Sequence, residues 1–198
     1  MVDKRILLIC IDGDCTYHAM KSRGIGRFVN FGAMVHGILN LREFQSYAKT
    51  QSVHVVYLTS DVTYLDNPQG SEDRRVRHQA FLQSLDYQYK GIEVVKFPIF
   101  IKEDSPISKN TMVETAMTAK LVRQVFEHGD VGSMVLVSGA GGLQYAVKEI
   151  RTMMPIHVAF FRGGVSASLM RESTGHIFFD PLEEFGFGAQ GGGKSIVS

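Results

Sequence analysis

Short apolar runs alternate along the chain with segments whose apolar residues recur at helical spacing. The apolar runs are rich in β-branched residues and predict five buried strands, at residues 5–11, 53–58, 92–97, 134–138 and 156–161. Helical patterns stand between them, most clearly at residues 73–86, 111–126 and 142–153. This alternation predicts an α/β domain with a mostly parallel central sheet that is covered on both faces.

The helical patterns also predict which residues face the core. The apolar face of the helix at 73–86 is expected to contain Val76, Ala80, Phe81 and Leu85. Two segments, 60–72 and 102–110, carry no clear period and are predicted to be long loops. Loops of that length at a sheet edge more often serve a site than the fold.

The chain has 198 residues, of which 44% are hydrophobic and 21% are charged, and this suits a single domain with a sizeable core. We place that domain at residues 1–185 and a flexible glycine-rich tail at 186–198. Residues 188–195, GAQGGGKS, match the phosphate-binding P-loop pattern literally. The pattern lacks the strand before it and the helix after it that phosphate binding requires, so we predict a tail there.

The net charge of +1 gives no global basic field that would attract nucleic acid. No stretch approaches the length of an apolar membrane span, and acidic residues interrupt the first apolar segment where a signal peptide would continue. The two cysteines, Cys10 and Cys15, do not suggest a disulfide framework. The expected location is the cytoplasm, with no membrane partner.

Candidate chemistry begins where the first strand ends, in the sequence IDGD. Asp12 and Asp14 follow an apolar strand directly, which favours a site for a hard divalent cation, although acids there are also common as loop residues or helix caps. Glu114 lies in or near the first turn of its helix beside apolar positions. It either joins that site or complements the helix dipole. Lys109 either meets phosphate or is an ordinary surface lysine.

The turn after the fourth strand, SGAGG, offers backbone amides in place of acids. Ser138 ends the strand, and the amides from Gly139 to Gly142, with Gly141 among them, would face a cleft at a helix N-terminus and bind an anion. The alternative is that these glycines only permit a tight strand–helix connection.

Two further features are ambiguous from the sequence. Basic residues cluster in three groups, which either bind a phosphate backbone or are solvated: Lys21, Arg23 and Arg27; Arg74, Arg75 and Arg77; Lys148, Arg151, Arg162 and Arg171. The apolar segment 28–39 either supports a homodimer or forms an ordinary core helix.

The ordered features together resemble a known family. The series includes a strand ending in DG, then VVYLTS, RHQAFLQSL, GIEVVKFPI, VETAMTAKLV, VLVSG, IHVAFFRGGVSASL and IFFDPLEEF. It is similar to the NYN domain of the PIN-like nuclease superfamily over nearly the whole chain, to about residue 184. The resemblance implies a Rossmann-like three-layer α/β/α fold and, in active members, a metal-dependent ribonuclease site of clustered acids.

Carried onto this sequence, the resemblance places the first family acid at Asp12 and the helix acid at Glu114, with Asp14 in support, as ligands of Mg²⁺ or Mn²⁺. Ser138, Gly139, Gly141 and Lys109 would position the scissile phosphate of single-stranded or loop RNA.

The sequence also departs from the family pattern. Cys15 stands where an Asn is common, and Lys120 stands where a further acid is expected. Ala140 and Gly142 occupy the positions of the SGDxD acids, so the turn resembles a nuclease turn without its carboxylates. Ala140 is either natural or an Asp→Ala change. Because acids hold the cation in such enzymes, their loss is expected to weaken or abolish cleavage.

The expected function is therefore an RNA-cleaving, metal-dependent enzyme, weakened or silenced in this sequence. One alternative is a catalytically degenerate RNA-binding or interaction domain on a nuclease scaffold. A second is a haloacid-dehalogenase-like phosphatase, because DGDCT at 12–16 matches the D-x-D-x-T opening of that family, with Asp12 as nucleophile and Asp14 as acid/base.

Overall fold

Strands are separated by helical segments along the chain, and a sixth strand at residues 175–178 adds to the five that the sequence predicts. The computed structural model describes residues 5–24, 30–88, 90–102, 107–180 and 185. The strands are β1 (Ile6–Asp12), β2 (Val53–Tyr64), β3 (Ile92–Ile101), β4 (Val131–Val137), β5 (Ile156–Phe160) and β6 (Gly175–Phe178). The α-helices are α1 (Gly13–Ser22), α2 (Phe31–Asn40), α3 (Gln45–Thr50), α4 (Pro68–Gln88), α5 (Lys109–Glu127), α6 (Gln144–Arg151) and α7 (Ala167–Glu172), and a 3-10 helix at Gly141–Leu143 precedes α6.

The strands form one six-stranded sheet in the order β3-β2-β1-β4-β5-β6, and every neighbouring pair is parallel. β1 is central, with Cys10 paired to Val56 on one side and to Leu136 on the other. From β1 the chain builds outward to β3 and then crosses back to β4. The carboxyl ends of β1 and β4 therefore meet at the topological switch point, where open α/β sheets usually bind ligands.

Alternate residues of the central strand bury against two different helix layers. Leu7 and Ile9 belong to a core that includes residues of α1, α2 and α4. Leu8 and Cys10 belong to a second core that includes residues of α5, α6 and α7. Both faces of a parallel sheet must be covered, which explains the continuous apolar character of β1. The prediction of a Rossmann-like three-layer α/β/α fold is confirmed.

The predicted loop at 60–72 is wrong, because β2 continues to Tyr64 and α4 begins at Pro68. Pairing with β1 ends where Asp12 lies opposite Leu58, whereas pairing with β3 continues until Tyr64 lies opposite Ile101. Inter-strand hydrogen bonding along β3, rather than an apolar pattern, thus extends β2.

The predicted core face of α4 is partly wrong. Val76 is 62% exposed and Ala80 is exposed, while Leu82 and Leu85 are buried and Phe81 packs beside them. The helix is longer than its apolar pattern, and the turns before residue 81 extend past the edge of the core.

Two further segments considered in the sequence, 142–153 and 28–39, contain helices that pack against the core. The helical pattern at 142–153 corresponds to the 3-10 helix and α6, in which Ala146, Val147 and Ile150 are buried. α2 forms a core helix in which Phe31, Met34 and Ile38 are almost fully buried. The sequence left open whether segment 28–39 supports a homodimer or forms an ordinary core helix, and its described part, residues 30–39, forms a core helix. The tail at 186–198, the P-loop-like residues 188–195 and residues 103–106 of the second predicted loop lie outside the described residues.

Within the described ranges, none of the helices has both the length and the apolar character that crossing a bilayer requires.

Two residues of α5 provide a matched test of this packing. Leu121 is completely buried, whereas Phe126 on the same helix is 69% exposed. We expect Leu121→Ala to lower the free energy of unfolding by about 2–5 kcal/mol, because it leaves a cavity between α5 and the sheet. Phe126→Ala should lower it by far less, although it removes a larger side chain. Urea denaturation measures both, and equal losses would contradict the packing described.

Candidate functional site

Asp12 lies at the switch point and joins three elements. It is the last residue of β1 and the N-cap of α1, where its Oδ1 accepts a hydrogen bond from the Cys15 amide at 3.0 Å. Its Oδ2 accepts a hydrogen bond of 2.7 Å from the hydroxyl of Ser138, the first residue after β4. Asp12 is therefore a helix cap, one of the alternatives left open by the sequence. It also connects the ends of the two central strands.

The Asp12 carboxylate is 4% exposed and lies in an environment that disfavours its charge. Burial raises its pKa from 3.8 to about 6, against the opposing effect of hydrogen bonds from Cys15 and Ser138. The charges of Asp14 and Glu114 raise it further. Three acids thus act on one another here, and within the described part of the chain no cationic side chain contributes to the Asp12 shift. A carboxyl group perturbed in this way is typical of functional sites.

The sequence predicted that backbone amides in the turn after β4 would bind an anion. The structure shows two of these amides hydrogen-bonded within the protein. The Gly139 amide donates to Cys15 Sγ at 3.4 Å, and the Ala140 amide donates to Ser138 Oγ at 3.1 Å. These amides bind side chains of the chain itself. The structure therefore does not leave the Gly139 amide directed at a ligand, and Ser138 orients Asp12 instead of facing open space.

The glycines of this turn permit close approach. A Cβ at Gly139 would lie well inside 3.0 Å of the Gly164 carbonyl oxygen and the Phe160 ring, and one at Gly141 would lie 2.9 Å from Ser166 Oγ. The Ser166 amide donates to the Gly139 carbonyl at 3.1 Å, which fixes the loop after β5 against the turn. The presence of glycine at position 139 is therefore explained by the alternative reading of the sequence, in which glycines permit a tight strand–helix connection.

Glu114 reaches the same turn from α5. A Cβ at Gly142 would collide with the Glu114 carboxylate, so this carboxylate lies directly against the glycine backbone. Because α5 begins at Lys109, Glu114 lies in the second turn, and the first turn contains no acid. Its proposed role as a partner of the helix dipole at the first turn is therefore not supported by its position.

Asp14 is turned toward β2. Its Oδ2 accepts a hydrogen bond of 3.0 Å from the Ser60 amide, which ties the first turn of α1 to that strand. Asp12, Asp14 and Glu114 do not offer one oxygen each within 4.8 Å of one another; in the described part of the chain only His54, Glu93 and His128 form such a set. A cation shared by all three acids would need side-chain movement or bridging water.

Among the described residues, no hydrogen bond or ion pair joins Lys109 or the basic clusters to Asp12, Asp14 or Glu114. At 100° per residue, Lys109 and Glu114 are separated by about 140° around the axis of α5. Arg75 lies 3.6 Å from Asp61 and 3.2 Å from Glu72.

Other basic residues bind elsewhere. Arg23 donates to the Arg162 carbonyl at 2.7 Å and lies over the Phe161 ring, while Arg151 donates to the Arg171 carbonyl. Residue 27 and the side chains of residues 74 and 77 are outside the described part of the chain.

Two neighbours of the acids were not identified from the sequence. Tyr57 is buried beneath Gly13, where any Cβ would meet its ring, and burial together with Asp14 and Asp12 raises its phenol pKa. His78 on α4 lies 3.3 Å from Thr59 Oγ1. Burial lowers its pKa, while Asp14 and Asp61 act in the opposite direction. The alternation of residues along β2 could have placed Tyr57 on the sheet face that α1 covers. Nothing in the sequence indicates the contact between Tyr57 and Gly13.

Comparison with known proteins supports the fold alone. No family model matches the sequence, and no curated protein matches it. The chain is similar in structure to a protein of unknown function from Vibrio parahaemolyticus, with a TM-score of 0.61 and 17% identity, over 91% of this chain and 96% of that one. The shared feature is the α/β architecture.

Removing the charge of Asp12 should change how the stability of the protein depends on pH. The folded-state pKa of about 6 lies above the ordinary 3.8, so ionised Asp12 costs folding free energy that is absent below pH 4 and complete above pH 6. We expect the unfolding free energy of Asp12→Asn, relative to the unchanged protein, to increase between pH 4 and pH 7.5 by up to about 3 kcal/mol. Urea denaturation at several pH values measures this, and a pH-independent difference would contradict the buried charge.

The two turn glycines should differ in tolerance. Gly139→Ala places a methyl group against a backbone carbonyl and should cost about 1–3 kcal/mol of unfolding free energy. Gly142→Ala meets only the end of the flexible Glu114 side chain, which can move, so its cost should be smaller. Thermal denaturation compares the variants; if Gly142→Ala costs the more, the described contacts are wrong.

Proposed function

We propose that the protein is a metal-dependent ribonuclease of NYN type whose hydrolytic activity is limited by the missing acid at Ala140. The observation that carries the proposal is the buried Asp12 carboxylate at the switch point of the sheet, with the charges of Asp14 and Glu114 acting on it. Buried like charges are costly unless a cation or a proton neutralises them.

The donor chemistry fits Mg²⁺ or Mn²⁺, which prefer oxygen ligands. Asp12 and Glu114 would hold the cation, and Asp14 would act through water, since its Oδ2 already accepts the Ser60 amide. When bound, the cation supplies activation of water and neutralisation of the developing oxyanion. Ser138 keeps Asp12 directed at the site through its 2.7 Å hydrogen bond.

The proposed limit on hydrolytic activity comes from the turn after β4, where an acid is missing. Ala140 is half-buried beside Ser138 and packs against the core on the α5 face. A carboxylate at position 140 would add an acid to the turn that contacts Asp12 through Ser138 and Glu114 at Gly142. An acid at Gly142 would instead displace the Glu114 carboxylate with its Cβ.

RNA as the substrate is supported by the family resemblance of the ordered motifs and by the position of the acids at the ligand-binding edge of the sheet. A strand-end site that contacts the phosphate backbone reads little sequence, which suits single-stranded or loop RNA.

Restoring the acid tests the proposal. We expect Ala140→Asp to raise Mn²⁺-dependent cleavage of a fluorescently labelled single-stranded RNA by about 10-fold or more over the unchanged chain. Ala140→Asn is the matched control, since it adds nearly the same volume without the charge and should give no gain. The double variant Asp12→Asn, Ala140→Asp should lose the activity.

Failure to gain activity in Ala140→Asp, with the fold intact by circular dichroism, would contradict the ribonuclease proposal. RNA binding that persists in that case would favour the degenerate RNA-binding domain. Hydrolysis of a small phosphomonoester that is lost in Asp12→Asn would instead favour the haloacid-dehalogenase-like alternative.

A further inference from the structure

A second cluster of ligating side chains lies at the opposite edge of the sheet. His54 is the second residue of β2, Glu93 is the second residue of β3, and His128 directly follows α5 as its C-cap. The register pairs Leu8 with His54 and Asp12 with Leu58, so the cluster is four strand residues, roughly 13 Å, from Asp12 along the sheet. It is therefore separate from the carboxyl-end acids.

The fold directs these side chains to one place. Val56 and Leu58 of β2 and Phe97 of β3 pack in the core beneath α5, and the two-residue period of strands puts His54 and Glu93 on the same face. The end of α5 brings His128 over this face, where its ring centroid lies 4.1 Å from that of His54.

The donor atoms already lie close together. His54 Nε2 is 2.8 Å from Glu93 Oε2, His128 Nε2 is 4.0 Å from the same oxygen, and all three residues offer atoms within 4.8 Å of one another. A tetrahedral ion with bonds of about 2.0–2.1 Å holds its ligand atoms about 3.4 Å apart. The observed separations bracket that value, so adjustments of about 1 Å in side-chain position suffice.

A buried amide lies beside the cluster. Gln124 is 2% exposed, and its Oε1 lies 3.2 Å from His128 Nε2 while its Nε2 donates to Glu127 Oε2 at 3.2 Å. Because the contact uses the nitrogen that faces Glu93, His128 must leave Gln124 when that nitrogen binds an ion. The Gln124 oxygen can then accept a hydrogen bond from an ion-bound water.

We propose that His54, Glu93 and His128 form a binding site for a first-row divalent transition metal of the Zn²⁺ class. Two imidazole nitrogens and one carboxylate are ligands that Zn²⁺ accepts and that Mg²⁺ does not prefer. The side chains of His54, Glu93 and His128 are 30%, 42% and 23% exposed, so an ion can enter from solvent and retain one water-filled position.

Binding requires a change of tautomer. In the His54–Glu93 and His128–Gln124 contacts the imidazole Nε2 donates to an oxygen, so coordination through Nε2 requires its proton to move to Nδ1 of the same ring. Two coordination bonds, one from His54 Nε2 and one from Glu93 Oε2, then replace the hydrogen bond between these atoms.

The experiment is a calorimetric titration of the full chain, freed of any affinity tag, with Zn²⁺. With Mg²⁺ in excess, so that the acids around Asp12 do not take up Zn²⁺, we expect one Zn²⁺ per chain, with visible absorption of a tetrahedral site when Co²⁺ is substituted. Glu93→Gln, which is isosteric, and His128→Ala should each weaken Zn²⁺ binding by at least about 10-fold. His36→Ala, at an exposed histidine of α2, is the matched control and should bind as the unchanged chain does.

The outcomes separate this site from the acids at the other edge. Asp12→Asn should leave Zn²⁺ binding at His54, Glu93 and His128 unchanged. The zinc-site proposal can therefore hold even if the nuclease proposal fails. The proposal is overturned if the unchanged chain shows no saturable Zn²⁺ binding, if Glu93→Gln and His128→Ala bind as tightly as His36→Ala, or if Asp12→Asn abolishes binding.

Discussion

The hydrogen bond between Ser138 and Asp12 joins the carboxyl ends of the two strands at the switch point. It lies among fully buried residues of β1 and β4, where water cannot stabilise the Asp12 charge. The carboxylate therefore depends on that hydroxyl and on the amide of Cys15. Such an arrangement costs folding free energy at neutral pH, which is a common property of sites kept for binding or chemistry.

This constraint organises the surrounding turn. Ser138 is held by Asp12, and the next residue, Gly139, contacts the loop after β5 so closely that no side chain fits. Gly142 leaves space that the Glu114 carboxylate occupies. Asp12 of β1 and Glu114 of α5 thus both contact this turn, and Ala140 lies within it. The nuclease proposal depends on that position.

The sheet has different chemistry at its two edges. Oxygen donors gather at the carboxyl edge around Asp12, while the amino edge brings together His54, Glu93 and His128. A parallel sheet produces this separation, because all strands begin at one edge and end at the other, and each crossover helix returns the chain to the beginning. Ligand preferences should follow, with hard cations at one edge and imidazole-preferring metals at the other.

The sequence by itself determined five of the six strands, the helices at 73–86, 111–126 and 142–153, and the position of Asp12 at a strand end, because apolar periodicity records which residues avoid water. It did not identify β6 (Gly175–Phe178), which is short. It did not reveal the extension of β2 to Tyr64, which depends on hydrogen bonding to β3, or the exposure of Val76, which depends on where the core ends. Tertiary structure alone decided that the Gly139 amide serves Cys15 and that His128 meets His54. These contacts join residues far apart in the chain, and no local pattern encodes a distance between elements that only packing brings together.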